Sequence, residues 1–522
     1  MNIYGFEAIG FDGQLVKVEV DIRRGIPALD VVGLPDSAVR EAGERVRAAI
    51  RNAGYQFPLD RILVNLAPAG IRKAGAAFDL AMAAAILLAS GQLPHCGMDM
   101  VLLGELELSG AVRGVPGVMA AVAAGLAADV PCFLVPKENA EEARVLAGTA
   151  ACQVRALGEL TVLFGRLLAG YAPRDSGARD DTEGSPGQAP SADEGLNPYA
   201  EDMAELCGQA ELKRALEIAA AGGHHVLLFG PPGAGKTMAA RRMPGLMPPL
   251  DGEDALVATK LHSLAGALPS GSGLLSAAPF RAPHHSASAE GILGGGKLNR
   301  PGEISLAHGG ILFLDEAPEF RSDVLQALRE PLEEGFISIA RADRTVRYPS
   351  SFLLVLACNP CPCGKLGRAG SVCLCSFHEL KRYWKRLGAA LLDRIDIRVP
   401  VRPVDPGELA QRDAEGSASI RERVQEARQF QRKRYVDEPW SLNARLSPQG
   451  IQRYIRLDEG GSASFAAAAA AEAWSSRACH GILRVARTIA DLAGESAIRQ
   501  SHVDEAMALR RYGDENLYWQ LP

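Results

Sequence analysis

One stretch, VLLFGPPGAGKTMAARRM (residues 226–243), constrains this chain more than any other. Four apolar residues, a glycine-rich turn and a helix-forming run in that order predict a strand, a loop and a helix. Gly230, Pro231, Pro232, Gly233, Ala234, Gly235, Lys236 and Thr237 make up the turn and its exit. Glycine lets the backbone curl so that successive N–H groups converge on phosphate oxygens. The helix that follows adds its partial positive charge. Lys236 would reach the β- and γ-phosphates and the Thr237 hydroxyl would ligate Mg²⁺. ATP and Mg²⁺ are therefore the expected cofactors, and a parallel α/β sheet the expected frame.

Two further apolar runs end in chemistry. GGILFLDEAPEF delivers Asp315 and Glu316 at the end of a four-residue strand, where open α/β sheets bind ligands. Asp315 would hold Mg²⁺, and Glu316 would orient and deprotonate the attacking water. A bare acidic pair could instead cap a helix; the phosphate loop upstream favours the catalytic reading. FLLVLACNP ends in Asn359, a polar group able to hold water or the γ-phosphate, the sensor 1 position of the AAA+ class. In GAALLDRIDIRV, Arg394 stands between apolar residues and two aspartates. On spacing alone, a surface ion pair and a catalytic arginine are equal readings.

At 522 residues the chain exceeds a single core, and its net charge of −6 advertises no global nucleic-acid field. Any DNA-binding surface must then be local, in a channel or loop. The most apolar run, Phe78 to Ala89, carries Asp79 and falls short of the ~20 residues a bilayer requires. The amino-terminal MNIYGFEAIGFDG lacks the pattern of a signal peptide. A cytoplasmic protein with no membrane partner is expected. Five of ten cysteines lie between Cys358 and Cys375, and such clustering favours metal over a secreted disulfide framework. Cys361, Cys363, Cys373 and Cys375 form two CxC units able to make a tetrahedral Zn²⁺ site, with reduced thiols in a loop as the alternative. Cys358 belongs to the strand before them.

Composition divides the chain. Residues 1–169 mix strand-like runs, such as Leu15–Ile22 and RILVNLAP, with alanine-rich helices over Asp79–Ser90 and Val118–Ala128. Residues 170–196 are dense in Gly, Pro, Ser and acid and read as a disordered linker. Strands and helices alternate over 197–402, a parallel sheet with crossover helices and a cysteine-rich insert at 358–375. Residues 403–522 read as helical, beginning with SIRERVQEARQFQRKRY and followed by an alanine-rich pair from Ala463 to Ala490. The terminal ENLYWQ resembles a cleavage tag but departs from one, and its origin is left open.

GLPDSAVREAGERVRAAI, FRAPHHSAS, RPGEISLAHGGILFLDE, NPCPCG, LLDRIDI and RVARTIADL together resemble the magnesium-chelatase-like competence ATPases, the ComM/YifB family. The resemblance covers nearly the whole chain except the linker. It implies a hexameric AAA+ ring with a carboxy-terminal helical lid, a DNA-translocating branch-migration helicase of homologous recombination and natural transformation, with recombination proteins as possible partners. It also implies that Arg394 is an arginine finger reaching the neighbouring subunit's ATP, and that Arg477 is sensor 2, with Arg484 second choice. The stretch His262 to Lys297 corresponds to the helix-2 insert. GFISIARADRTVRYP reads as a hairpin with Arg341, Arg344 and Arg347 near its tip, which with Lys297 would track DNA; an ordinary solvated hairpin is the alternative. The amino-terminal part resembles the Lon protease domain, an S5-type α+β fold, but Ala77 stands where that family has its serine. Gly117-Val-Met-Ala-Ala121 stands where it has its lysine. Proteolysis is not expected, since neither Ala nor Met can attack a carbonyl or accept a proton. A chelatase-like motor acting on a protein partner remains the alternative function.

Overall fold

A computed structural model describes residues 1–170, 201–296, 299–340, 345–368, 370–404 and 415–511. The linker, apart from Gly170, and the terminal ENLYWQ lie outside these residues.

The amino-terminal part is a seven-stranded mixed sheet. Its strands are β1 (Ile3–Ile9), β2 (Asp12–Arg23), β3 (Ala28–Val32), β4 (Arg61–Ala67), β5 (Met100–Leu102), β6 (Cys132–Pro136) and β7 (Ala151–Val154), in the order β3-β4-β2-β1-β5-β6-β7. Val16 and Val18 of β2 face the core, as alternation along the strand dictates. Helices α1 (Ser37–Asn52), α2 (Asp79–Ala89), α3 (Val118–Ala127), α4 (Ala140–Ala147) and α5 (Leu160–Leu168) accompany the sheet. The α2 helix is buried from Asp79 through Leu88, which explains its uninterrupted apolar run. Asp79 is tolerated there because Arg45 of α1 pairs with it at 2.9 and 3.1 Å.

The second part is a five-stranded, all-parallel sheet. It comprises β8 (Val226–Phe229), β9 (Phe280–Arg281), β10 (Ile311–Leu314), β13 (Leu353–Cys358) and β14 (Ile397–Pro400), in the order β9-β10-β13-β8-β14. The antiparallel hairpin of β11 (Phe336–Ala340) and β12 (Thr345–Pro349) precedes β13. Helices α6 (Ala210–Gly222), α7 (Lys236–Arg242), α8 (Gly252–Ala265) and α9 (Arg329–Glu334) belong to this part. A helical region follows: α10 (Ser417–Arg434), α11 (Glu459–Ala471), α12 (Ser476–Leu492) and α13 (Gln500–Arg510). Its apolar faces share one core with α6, β8 and β14, so the helices cap the sheet rather than hang from it. Buried His224, just before β8, ties sheet to cap by bonding Asp396 at 3.0 Å and Thr488 of α12 at 2.8 Å.

The amino-terminal part docks on the parallel-sheet part through the segment where the Lon resemblance would put a catalytic lysine. Gly117 N donates to Ser263 O at 2.9 Å, and Met119 N to Ser263 Oγ at 3.4 Å. Leu264 of α8 shares a buried cluster with Val118, and Ala77 packs against it. The helix thus extends through His262, the expected start of the helix-2 insert, and its buried last turn is an interdomain contact. None of the described helices is long and apolar enough to cross a membrane.

Candidate active site

Three strands end together at one edge of the parallel sheet. Phe229 pairs with Cys358 and Leu314 with Leu356, so the chain leaves β8, β10 and β13 side by side. Gly230, Asp315 and Asn359 are the first residues out. The turn after β8 must be glycine because β14 passes close behind it. A Cβ on Gly230 would lie 2.1 Å from the Val401 carbonyl oxygen. Gly235, at φ +92°, sits in the left-handed region that favours glycine and launches α7.

Lys236 is buried, 8% exposed, and its Nζ donates to Gly230 O at 2.7 Å, Pro231 O at 3.1 Å and Asn359 Oδ1 at 3.2 Å. Burial holds its ammonium below the usual lysine range, opposed by Cys358, Asp315 and Glu316. The lysine that opens α7 and the asparagine that follows β13 are therefore brought together. The Thr237 hydroxyl donates to Asp315 Oδ2 at 2.7 Å, so the two expected Mg²⁺ ligands face one another. A buried lysine at the start of α7, behind a curled loop and with a hydroxyl and a carboxylate beside it, is the donor set that a triphosphate and a hard divalent cation require. Glu316 is exposed and adopts φ +50°, uncommon for a residue with a side chain. The left-handed kink turns the chain sharply after Asp315. Behind the loop, Gln209 Nε2 donates to Ala234 O at 2.9 Å and Arg402 O at 3.2 Å.

The family profile for magnesium chelatase, subunit ChlI, matches residues 202–409, and its carboxy-terminal profile matches 414–510. A profile for subunit ChlI of Mg-chelatase also matches 18–139. Competence protein ComM of Haemophilus influenzae is 38% identical over 511 residues, 97% of each chain. An uncharacterized protein YifB of Escherichia coli is 38% identical over 96% of this chain and 95% of its own. The chain belongs to the ComM/YifB family of magnesium-chelatase-like AAA+ ATPases. The 38 kDa magnesium-chelatase subunit of Rhodobacter capsulatus is a more distant relative, 24% identical over 57% of this chain and 83% of its own.

In this family member the two arginines singled out in the sequence lie apart from the phosphate loop but beside each other. Arg394 precedes β14, whose far end, at Pro400, pairs with Phe229 at the loop. It therefore sits at the opposite end of the parallel strands from Gly230. Arg394 and Arg477 both bond Glu333 of α9. The two guanidiniums hold the Glu333 carboxyl below its usual range although burial opposes them. Buried Arg510 donates to the carbonyls of Asp393 and Ile395, fixing the backbone on either side of Arg394. Arg484, the second choice for sensor 2, is instead turned inward and bonds the Leu446 carbonyl.

Sequence reasoning missed three partners. His285 Nδ1 lies 3.5 Å from Glu316 Oε2, held against Phe320 and His284. Glu333 and Gln209 complete the set. The FRAPHHSAS motif flagged His285 as distinctive without a role; Glu333 and Gln209 carried no local signal, since only folding gives them their partners.

The four clustered cysteines converge. Sγ–Sγ distances are 3.4 Å (Cys361–Cys363), 3.6 Å (Cys363–Cys373) and 3.7 Å (Cys361–Cys373), and all four sulfurs, Cys375 included, lie within 4.8 Å of one another. Four sulfurs ~2.3 Å from a tetrahedral Zn²⁺ stand ~3.8 Å apart, so the spacing fits such an ion far better than a disulfide. Cys358 is buried at the end of β13, as its place in the sequence suggested. Of the expected DNA contacts, Lys297, Arg341 and Arg344 lie outside the described residues. Arg347 sits in mid-strand on β12 rather than at the tip, its guanidinium 4.8 Å over the Phe336 ring.

Proposed function

We propose that this chain is an ATP-driven DNA motor, a hexameric branch-migration helicase acting in homologous recombination and natural transformation in the cytoplasm. The observation that carries the reading is the likeness to a competence protein along 97% of both chains, against 57% of this chain for a chelatase subunit. The units are 1–169, a Lon-protease-like scaffold without its dyad, a linker at 170–196, an ATPase core at 197–402 and a helical lid at 403–522.

Lys236 and the N–H groups of Gly233 to Thr237 bind and orient the triphosphate. Thr237 and Asp315 hold Mg²⁺, which when bound neutralises charge on the phosphate oxygens. Glu316 takes the proton from the attacking water, Asn359 positions that water, and His285 holds the Glu316 carboxylate until nucleotide arrives. Arg394, held beside Arg477 on Glu333, serves the neighbouring subunit's site as arginine finger, and Arg477 is sensor 2 of the helical lid. The β11–β12 hairpin, with Arg341, Arg344 and Arg347, tracks DNA together with Lys297 of the helix-2 insert. Cys361, Cys363, Cys373 and Cys375 hold a structural zinc.

Single-stranded and branched DNA should raise the ATPase rate several-fold, and three-strand branch migration should depend on ATP. Arg341→Ala and Arg344→Ala should flatten the slope of log affinity against log salt by about 0.7 per lost contact on single strands, while the DNA-free rate stays near wild type. A rate indifferent to DNA but raised by a protein partner would replace this reading with the chelatase-like remodeller.

For the metal, protein purified under reducing conditions should contain one zinc per chain by elemental analysis. Stoichiometry near zero would leave four reduced thiols as the correct description.

A further inference from the structure

The cysteine cluster does not stand apart from the nucleotide site. Gly364, next to Cys363, packs on the phosphate loop so closely that a Cβ would lie 2.9 Å from Pro232 Cγ and 3.2 Å from Cδ. Leu366, whose N–H donates to Cys361 Sγ at 3.4 Å, lines a small cleft with Gly367, Gly230, Pro231 and Pro360. Cys361 itself is fully buried two residues after Asn359, the residue that bonds Lys236. Gly364 of the segment therefore packs on Pro232, Leu366 and Gly367 share a cleft with Gly230 and Pro231, and Cys361 lies two residues from the asparagine that meets the lysine.

The segment is tied at its ends, where Trp384 Nε1 donates to the Pro360 carbonyl at 3.2 Å and Ser376 N donates to Glu379 at 2.7 Å; between them the backbone–backbone bonds among the described residues close short turns. Its described residues from Pro360 to Ser376 form neither helix nor strand. Gly364, Gly367 and Gly370 all take positive φ, a conformation easily lost. Val372 is 74% exposed and Leu374 86%, so apolar burial contributes little there. Ordering a glycine-rich loop costs backbone entropy at every residue it fixes. Metal–thiolate bonds supply such ordering energy outright, because the unfolded loop has no preformed site.

We propose that the zinc cluster is a support of the phosphate loop, so that metal occupancy sets nucleotide affinity. This rests on the zinc reading above. Four thiolates around one Zn²⁺ fix Gly364 against Pro232 and Leu366 at the cleft that Gly230 also lines, and keep Asn359 within reach of Lys236. Metal loss frees the loop, and the curl of backbone that receives phosphate loses its outer wall. Regulation of this kind would let metal supply or thiol chemistry at the exposed Cys363 reach the ATPase without touching a catalytic group.

The test uses the full-length chain, with a fluorescent ATP analogue titrated in excess Mg²⁺ and zinc measured on the same samples. Cys363→Ser and Cys373→Ser should each lose zinc and raise the Kd for the analogue at least tenfold. A zinc-selective chelator should do the same to the wild type, with affinity restored on adding Zn²⁺, a reversal that irreversible misfolding would not show. Gly364→Ala should keep its zinc yet bind the analogue more weakly, since the new methyl displaces Pro232. Zinc bound by the untreated wild type, together with wild-type affinity in the zinc-free stripped protein and in both zinc-free cysteine variants, would overturn the coupling but leave the metal site standing. No zinc in the wild type would overturn both.

Discussion

Lys236→Ala should abolish nucleotide binding and with it all turnover, whereas Glu316→Gln should bind ATP as the wild type does and hydrolyse it ~10²–10⁴-fold more slowly. The two expectations differ because the side chains meet different parts of the reaction. Lys236 is the sole cation at the heart of the loop among the described residues bonded there, aimed at the Gly230 and Pro231 carbonyls and at Asn359. Removing it leaves a buried pocket with no charge to offset the phosphates. Glu316 is exposed at the strand end and contributes no bond to the phosphate loop, so an isosteric amide there leaves the binding surface unaltered but has no basic oxygen for water. Equilibrium titration with a fluorescent nucleotide, beside steady-state phosphate release, separates the two. Wild-type turnover by Glu316→Gln would remove Glu316 from its role as base.

Arg394→Ala should lower the ATPase rate by ~10³–10⁵, the range for loss of an arginine finger. The lesion should be complemented by a second dead variant. Parallel strands put Arg394 at one end of the sheet and the phosphate loop at the other, so the finger serves a neighbour if it serves any site. An Arg394→Ala subunit keeps an intact phosphate loop, and a Lys236→Ala subunit keeps an intact finger. Where the two adjoin in one ring, one interface in each pair is whole. Mixing the dead proteins under conditions of subunit exchange should therefore restore measurable ATPase, with a maximum near equal proportions. Mixtures as inactive as both parents would deny Arg394 a role across the interface. Glu333 bears on the same experiment: it gathers Arg394 and Arg477, so Glu333→Ala should lower kcat and leave nucleotide affinity unchanged.

Much of this protein was legible without coordinates, and the reason is local. The phosphate loop, the Asp315–Glu316 pair and Asn359 each follow an apolar run directly, so strand, turn and functional residue are written in consecutive positions. The same holds for the cysteines, whose two CxC units are close enough in the chain to meet without help from the fold. The parallel sheet followed from alternation of strands and helices, and α2 was readable as a packed helix from alanine and leucine alone. Arg394 was visible but undecided, since a pattern of Leu, Asp, Arg and Ile suits a surface pair equally well.

What tertiary structure decided are the meetings of residues far apart in sequence. Which end of the sheet holds Arg394 depends on β14 running parallel to β8, and only then does the arginine turn away from its own phosphate loop. Glu333 becomes a partner of Arg477 across 144 positions, and His285 approaches Glu316 only because β9 and β10 are neighbours. Gly364 looked like ordinary loop glycine; its contact with Pro232 exists because β13 lies beside β8 and delivers the cysteine segment behind the phosphate loop. Sequence sets what each residue can do through composition and short-range order. Long-range pairing of strands sets which of them can do it together, because backbone register, not local propensity, determines which chain ends share an edge.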